Sequence, residues 1–314
     1  MPADPPAPAD LAAPADPAGP ADLAGPVSSP GPADLTLAAI GDEAGATPAA
    51  QIAAVEHLGW SGLELRTVDG IPLGELGSNE FAGVLRAVRE AGLVVPCLAS
   101  RIGNWARPIT APVDEDLREL DVLGDQADAL GTRHVRIMSW PNDALPEPEW
   151  RERVLDRVVR LVDRAEQRGL VLVHENCSGW AGADPERMLA LVDAAPALRL
   201  LFDTGNGIAH GYDSYDVLRR VLPHVAHVHV KDAVGTPERT TYVPPGDGCA
   251  RVVDCLRLLL EHGYSGALSL EPHLATRPHE GVSADNSTAE PFARAGRSLE
   301  RLLHGEIRPL SPAS

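Results

Sequence analysis

Leu170-Val171-Leu172-Val173-His174-Glu175-Asn176 and Leu200-Leu201-Phe202-Asp203-Thr204-Gly205-Asn206 decide the reading of the chain, together with two later stretches. Those are Val225-Ala226-His227-Val228-His229-Val230-Lys231-Asp232 and Ala267-Leu268-Ser269-Leu270-Glu271-Pro272-His273. Each begins as a short apolar run and finishes on a carboxylate or imidazole. Apolar runs of this length, without strict alternation of polar residues, suit parallel strands covered on both faces. The polar ends then need a separate explanation.

Upstream, the same unit recurs. Helix-like stretches end at Gly59, Gly92, Gly131, Gly169 and Gly263, and strand-like runs follow within a few residues. Those runs are Leu63-Glu64-Leu65, Leu93-Val94-Val95, His134-Val135-Arg136-Ile137, Leu170–Val173 and Ala267–Leu270. Glycine just past a helix end takes the left-handed cap without steric cost. With Leu35–Ile40, Leu198–Phe202 and Val225–Val230, the runs number eight. The segments between them read as helices. Thr47-Pro48 and Asp184-Pro185 each place an N-cap before a first-turn proline. Glu147–Arg168 carries Trp150, Val154, Val158, Leu161 and Val162 at helical spacing. Eight strands alternating with helices predict an α/β fold, a (β/α)8 TIM barrel, over residues 35–306.

In a parallel barrel the C-terminal strand ends converge on one face, where active sites sit. Side-chain alternation places Glu175 with Val171 and Val173, Asp203 with Leu201, His229 with His227 and Lys231, and Glu271 with Ala267 and Ser269. If those faces point inward, Glu175, Asp203, His229 and Glu271 meet at the mouth. Three carboxylates that close repel one another, and a divalent cation resolves the conflict. The three-oxygen, one-nitrogen set suits Mn²⁺ best, with Mg²⁺, Co²⁺ or Zn²⁺ as alternatives. Each residue alone has a plainer reading: an ion-pair partner for a glutamate, a helix cap for Asp203. His227 reads better as a core histidine than as a ligand. It is the joint occurrence at equivalent positions that points to a metal.

Lys231 is the single lysine among 27 basic residues. It reads either as a cation for a substrate oxygen or phosphate, or as a partner of Asp232. Trp105, Trp140 and Trp180 follow the third, fourth and fifth runs and are expected to wall a pocket. Gly246-Asp247-Gly248 reads as a tight turn, with too few glycines for a phosphate cradle.

Residues 1–34 repeat Pro-Ala-Asp among Ala, Gly and Ser and are expected to be a disordered tail. A short C-terminal tail is expected over 307–314. The formal charge is -18, and the tail's Asp4, Asp10, Asp16, Asp22 and Asp34 leave -13 on the rest. That balance argues against a nucleic-acid partner and against an anionic membrane surface. Cys97, Cys177, Cys249 and Cys255 form no Cys-x-x-Cys pair. With no secretory signal and no apolar run of about 18 residues, they read as reduced thiols of a cytoplasmic protein.

His174-Glu175-Asn176, Phe202-Asp203-Thr204-Gly205-Asn206, His227-Val228-His229-Val230-Lys231-Asp232 and Ser269-Leu270-Glu271-Pro272 resemble the sugar phosphate isomerase/epimerase family, in the xylose-isomerase-like TIM barrel superfamily. Tyr242–Gly248 and Gly62-Leu63-Glu64-Leu65-Arg66 are similar to further stretches of it. The resemblance covers about Leu35 to Leu303. It implies one divalent metal held by Glu175, Asp203, His229 and Glu271, with Glu175 and Glu271 doubling as acid/base groups. Glu64, Trp105, Trp140, Trp180, Asn206 and Lys231 are expected to bind substrate. The tagatose-epimerase branch has a histidine, an arginine and a glutamate where this chain has Asn206, Gly235 and Ala181. A free ketohexose therefore fits poorly. Asn206 and Lys231 look more like the isomerase and inosose-dehydratase branches.

The expected activity is isomerisation or epimerisation of a small sugar, sugar phosphate or sugar-like ketone. A proton next to the carbonyl is removed and an enediolate is stabilised by the metal. The alternative is dehydration of an inosose or dehydroshikimate-like substrate through the same intermediate. The expected partner is thus a small molecule, with homodimers or homotetramers formed through exposed barrel faces. Endonuclease action at abasic sites is disfavoured by the acidic charge.

Overall fold

Glycine-ended helices and short buried strands do close on themselves. A computed structural model describes residues 35–277, 281–282 and 288–307. The barrel strands are β1 (Thr36–Ile40), β2 (Gly62–Glu64), β3 (Leu98–Ala99), β4 (His134–Ser139), β5 (Val171–Gly179), β6 (Arg199–Asp203), β7 (Val225–Val230) and β8 (Ala267–Leu270). They form one 8-stranded sheet in the order β2-β1-β8-β7-β6-β5-β4-β3. All of its strand pairs are parallel. The bridges Gly62↔Val94 and Leu65↔Leu98 join β2 to β3 and bring the ends of the sheet together.

The third stave differs from its expected place. Leu93-Val94-Val95 forms only the Val94 bridge, and regular pairing starts at Leu98. Pro96 intervenes and has no N–H to give the ladder.

Around the barrel lie α1 (Pro48–Leu58), α2 (Ser78–Glu90), α3 (Val113–Leu130), α4 (Glu147–Gln167), α5 (Pro185–Ala194), α6 (Asn206–His210), α7 (Ser214–Val221), α8 (Val252–Glu261) and α9 (Ala289–Gly305). The N-caps behave as read: Thr47 Oγ1 accepts from the Ala50 N–H, and the Asp184 carboxylate accepts from the Glu186 N–H. Gly59 and Gly131 cap α1 and α3 in the left-handed region. Helix α4 buries Val154, Val158, Leu161 and Val162, the stripe its spacing predicts.

The main apolar core lies between the sheet and the helices. A separate small core of Cys97, Val173 and Leu201 is formed by inward residues of the barrel. Above it the lumen turns polar, and this is where the site forms. Ile307 corrects the expected C-terminal boundary: it is buried in the main core, and its N–H donates to Leu302 O. The apolar side chain keeps one residue past 306 docked. The expected tail over 1–34 and the rest of the C-terminal one, 308–314, lie outside the described residues. Among the described residues no helix is long and apolar enough to cross a membrane.

Candidate metal centre

Four consecutive staves each deliver one ligand-type side chain to a common point. Glu175 comes from β5, Asp203 from the end of β6, His229 from β7 and Glu271 from just after β8. One donor atom from each lies within 4.8 Å of the others, and all four residues are buried. The register explains the convergence: Asp203 pairs with His229, and His229 with Ser269, two residues before Glu271. Equivalent inward positions on neighbouring strands therefore share one layer.

Asp203 divides its carboxylate. Oδ1 accepts from the N–H groups of Gly205 and Asn206, each at 2.8 Å, and so starts α6. Oδ2 faces the cluster, 3.0 Å from Lys231 Nζ. The cap and ligand readings of this residue thus describe different oxygens. The turn is tight: a Cβ on Gly205 would meet Lys231 Cβ at 2.7 Å.

Charge in this layer is out of balance. Asp42, Glu43, Glu64, Glu175, Asp203 and Glu271 are all buried here, against the fixed cations Arg66, Arg136 and Lys231. Burial raises the Asp203 carboxyl, Lys231 lowers it, and the neighbouring Glu271 and Glu175 add to the rise. Burial also works against ionised Glu175, but Arg136 and His229 overcome it and lower its pKa to about 2. For Glu271 the same contest is won by Lys231, His273, His229 and Arg66, which hold it well below the usual carboxylate range. Burial disfavours a charged His229, yet Glu64, Glu175 and Glu271 raise it well above the ordinary imidazole value. Asp203 Oδ2 and His229 Nδ1 are buried and face the common point, where their neighbours are Lys231 Nζ at 3.0 Å and Glu271 Oε2 at 3.3 Å. The surplus of carboxylates and the oxygen–nitrogen donor set fit a divalent cation.

Lys231, 2% exposed, reaches Glu271 Oε2 at 2.9 Å and Asn206 Oδ1 at 3.2 Å besides Asp203. The Asp232 pairing considered from sequence is not made. Asp232 instead accepts from the N–H groups of Ala233, Gly246, Gly248 and Ala250, and fixes the Gly246–Gly248 turn. A Cβ on Gly248 would meet Asp232 Oδ1 at 2.2 Å, so this position requires glycine.

The cluster opens into a cavity of about 550 Å³ lined by Glu175, Glu271, Lys231 and Asn206. Trp105 lines its rim and is 43% exposed. The hairpin Asp232–Thr236/Arg239–Val243 overhangs the mouth and contributes Arg239, Thr240 and Tyr242.

Three of the residues expected to bind substrate are placed elsewhere. Trp140 is fully buried behind the wall, and its Nε1–H donates to Asp116 Oδ2 at 2.8 Å. The Trp180 Nε1–H donates to Glu147 Oε1, and Arg187 stacks on its ring. Neither indole lines the cavity; each anchors its loop onto the helical layer. Glu64 is fully buried below the cavity. Its Oε2 lies 2.7 Å from His227 Nε2 and its Oε1 3.0 Å from His229 Nε2. His227 therefore sits inside the barrel with Glu64 and Ser269.

Three wall residues were not picked out from the sequence. Arg66 spans Asp42, Glu43 and Glu271. His273 Nδ1 is 2.9 Å from Glu43 Oε1, and both Arg66 and His273 line the cavity. Arg136 Nη1 donates to Glu175 Oε2 at 2.9 Å, while its buried Nε has no partner. A charged residue at an inward position of an otherwise apolar strand was the available signal for Arg136. The Asp42-Glu43 pair directly after the first strand was the signal for the Arg66 network.

A closed parallel barrel with acid and imidazole side chains converging at the carboxyl ends of its strands belongs to the class of TIM barrels. A profile of the xylose isomerase-like TIM barrel family matches residues 52–294, and the chain belongs to that family. It is similar to an inosose dehydratase of Geobacillus kaustophilus, 26% identical over 181 residues, 51% of this chain. That match spans 55% of the dehydratase, about half its length. Among solved structures, a xylose isomerase-like TIM barrel protein from Mycobacterium smegmatis in complex with magnesium superposes with a TM-score of 0.67 at 17% identity. The superposition covers 88% of this chain and 99% of that one. A D-allulose 3-epimerase from Methylomonas sp. in complex with D-allulose gives 0.64 at 16% identity, over 85% and 96% of the two chains.

Proposed function

We propose that this chain is a divalent-metal-dependent enzyme that removes a proton next to the carbonyl of a small, polyhydroxylated ketone. The observation that carries the proposal is the convergence of Glu175, Asp203, His229 and Glu271, with Asp203 Oδ2 and His229 Nδ1 buried and facing the common point. Manganese is the favoured ion, and magnesium, cobalt or zinc suit the same donors. Bound there, the cation supplies Lewis acidity that makes a C–H beside a carbonyl removable.

The chain's own residues do the rest. Glu175 and Glu271 are held ionised by Arg136 and by Arg66 with Lys231, so either can accept the proton. Returning it at the opposite face is epimerisation, and returning it at the next carbon is isomerisation. Lys231 Nζ is a fixed donor beside Glu271, placed to hold a substrate oxygen. Asn206 lines the same wall, donates to Glu175 Oε1 at 3.2 Å and keeps that carboxylate oriented. Trp105 at the rim offers an apolar face to a sugar-like ring.

A second outcome, loss of a β-hydroxyl as water, is favoured by two observations. Lys231 can donate a proton to a departing hydroxyl, and the curated relative described above is named an inosose dehydratase. Both outcomes begin with the same proton abstraction. The test is deuterium incorporation from D₂O into ketoses, sugar phosphates, inososes and dehydroshikimate-like acids, with Mn²⁺ supplied. Product mass separates isomers from dehydrated products. Absence of exchange and turnover across the whole panel would refute the proposal.

A further inference from the structure

Glu64 does not line the cavity, and it meets the four-residue cluster only through His229. It is fully buried near the middle of the lumen, between Leu63 and Leu65. An isolated carboxylate there is costly unless its oxygens are well partnered. Its two partners come from alternate positions of β7. His227 Nε2 lies 2.7 Å from Oε2, and His229 Nε2 lies 3.0 Å from Oε1. The two imidazoles stand edge to face, with ring centroids 5.4 Å apart. One carboxylate thus grips both rings of the His-Val-His segment.

The consequence lies at the other end of the His229 ring. With Nε2 tied to Glu64, Nδ1 turns toward the cluster, 3.3 Å from Glu271 Oε2 and 3.7 Å from Glu175 Oε1. The nitrogen is buried, and these carboxylate oxygens are its neighbours on that side. An imidazole that donates Nε2–H to a carboxylate keeps its lone pair on Nδ1. Partners of this kind orient metal-ligating histidines and raise their basicity.

We propose that Glu64 is a positioning residue for the metal centre: it fixes the His229 ring and its Nε2–H tautomer so that Nδ1 is the metal-ligating atom. The inference rests on the metal reading above but assigns Glu64 a different role from substrate binding. His227, on the second oxygen of Glu64, acts as a counter-anchor that stops the carboxylate from rotating.

The test is ion affinity, measured without reference to turnover. Equilibrium dialysis of Mn²⁺ against wild type and Glu64→Gln, a change of nearly equal volume, should show binding weakened roughly 10–100-fold. Glu64→Asp keeps the charge but withdraws it by one methylene, and should fall between them. Ring ¹⁵N–¹H correlation spectra of the wild type loaded with diamagnetic Mg²⁺ should show His229 protonated on Nε2. Protonation on Nδ1 instead would overturn the proposal without any variant, even if Glu64→Gln failed to fold. Wild-type affinity in folded Glu64→Gln would overturn it and leave the metal centre standing. Failure of the wild type to bind any divalent ion would overturn both.

Discussion

Replacing Asp203 with Asn isolates the role of one oxygen. The amide oxygen of Asn can still accept from the Gly205 and Asn206 N–H groups, so the start of α6 survives. What is lost is the charge at Oδ2. In the ion-free protein that loss is tolerable, because the layer already holds more carboxylates than fixed cations and Lys231 retains Glu271. In the ion-loaded protein it removes a ligand. An ion at 100 times its dissociation constant stabilises the folded state by about 2.7 kcal/mol. For a domain of about 270 residues that corresponds to roughly 5 °C in Tm. The wild type, stripped with EDTA and melted with increasing Mn²⁺, should rise by that order, and Asp203→Asn should rise far less at the same concentrations. Equal melting of the wild type with and without millimolar Mn²⁺, or a full shift in Asp203→Asn, would refute the four-ligand centre.

Glu175→Gln and Glu271→Gln should each cut solvent deuterium exchange at the substrate carbon by about 10²–10⁴-fold, read by NMR in D₂O. Retention of full exchange in both would remove them from proton transfer. Arg66→Met leaves Asp42, Glu43 and Glu271 without their shared cation and should cost about 3–5 kcal/mol in chemical denaturation. Adding Glu43→Gln should recover part of the loss. His174 is fully buried on the face of β5 opposite Glu175, and neither of its ring nitrogens is bonded. His174→Leu should therefore raise stability by about 1–3 kcal/mol, and a loss of that size would contradict the reading of its surroundings as apolar.

The barrel was legible because its two periodicities reinforce each other. Gly59, Gly131 and the caps at Thr47 and Asp184 mark where helices stop and start, and the runs after them are too short and apolar to be anything but buried strands. The alternation along β5 to β8 also placed Glu175, Asp203, His229 and Glu271 on one face, which the register realises. The rest depended on information a single strand does not carry. Pro96 moved the third stave because ladder hydrogen bonding, not hydrophobicity, decides where a strand begins. The loops bearing Trp140 and Trp180 follow strands as expected, but an indole there can turn toward the lumen or toward the helices, and hydrogen bonds to Asp116 and Glu147 select the helices. Arg66 and its partners, distributed over the second, first and eighth staves, become neighbours only on closure. Glu64 was credited with substrate contact because nothing in its local sequence reveals that two imidazoles from β7 consume both of its oxygens.

The chain's solitary lysine makes the centre addressable by selective chemistry. Apart from the α-amino group, amine-directed reagents have one target, Lys231, which stands in the cavity wall among the proposed ligands. The rate at which that amine is acylated, followed by intact mass, therefore becomes a single-site gauge of how often its ion pairs with Asp203 and Glu271 open and free it. No engineered label is required, and the rest of the surface, whose side-chain cations are arginines and histidines, stays silent in the measurement.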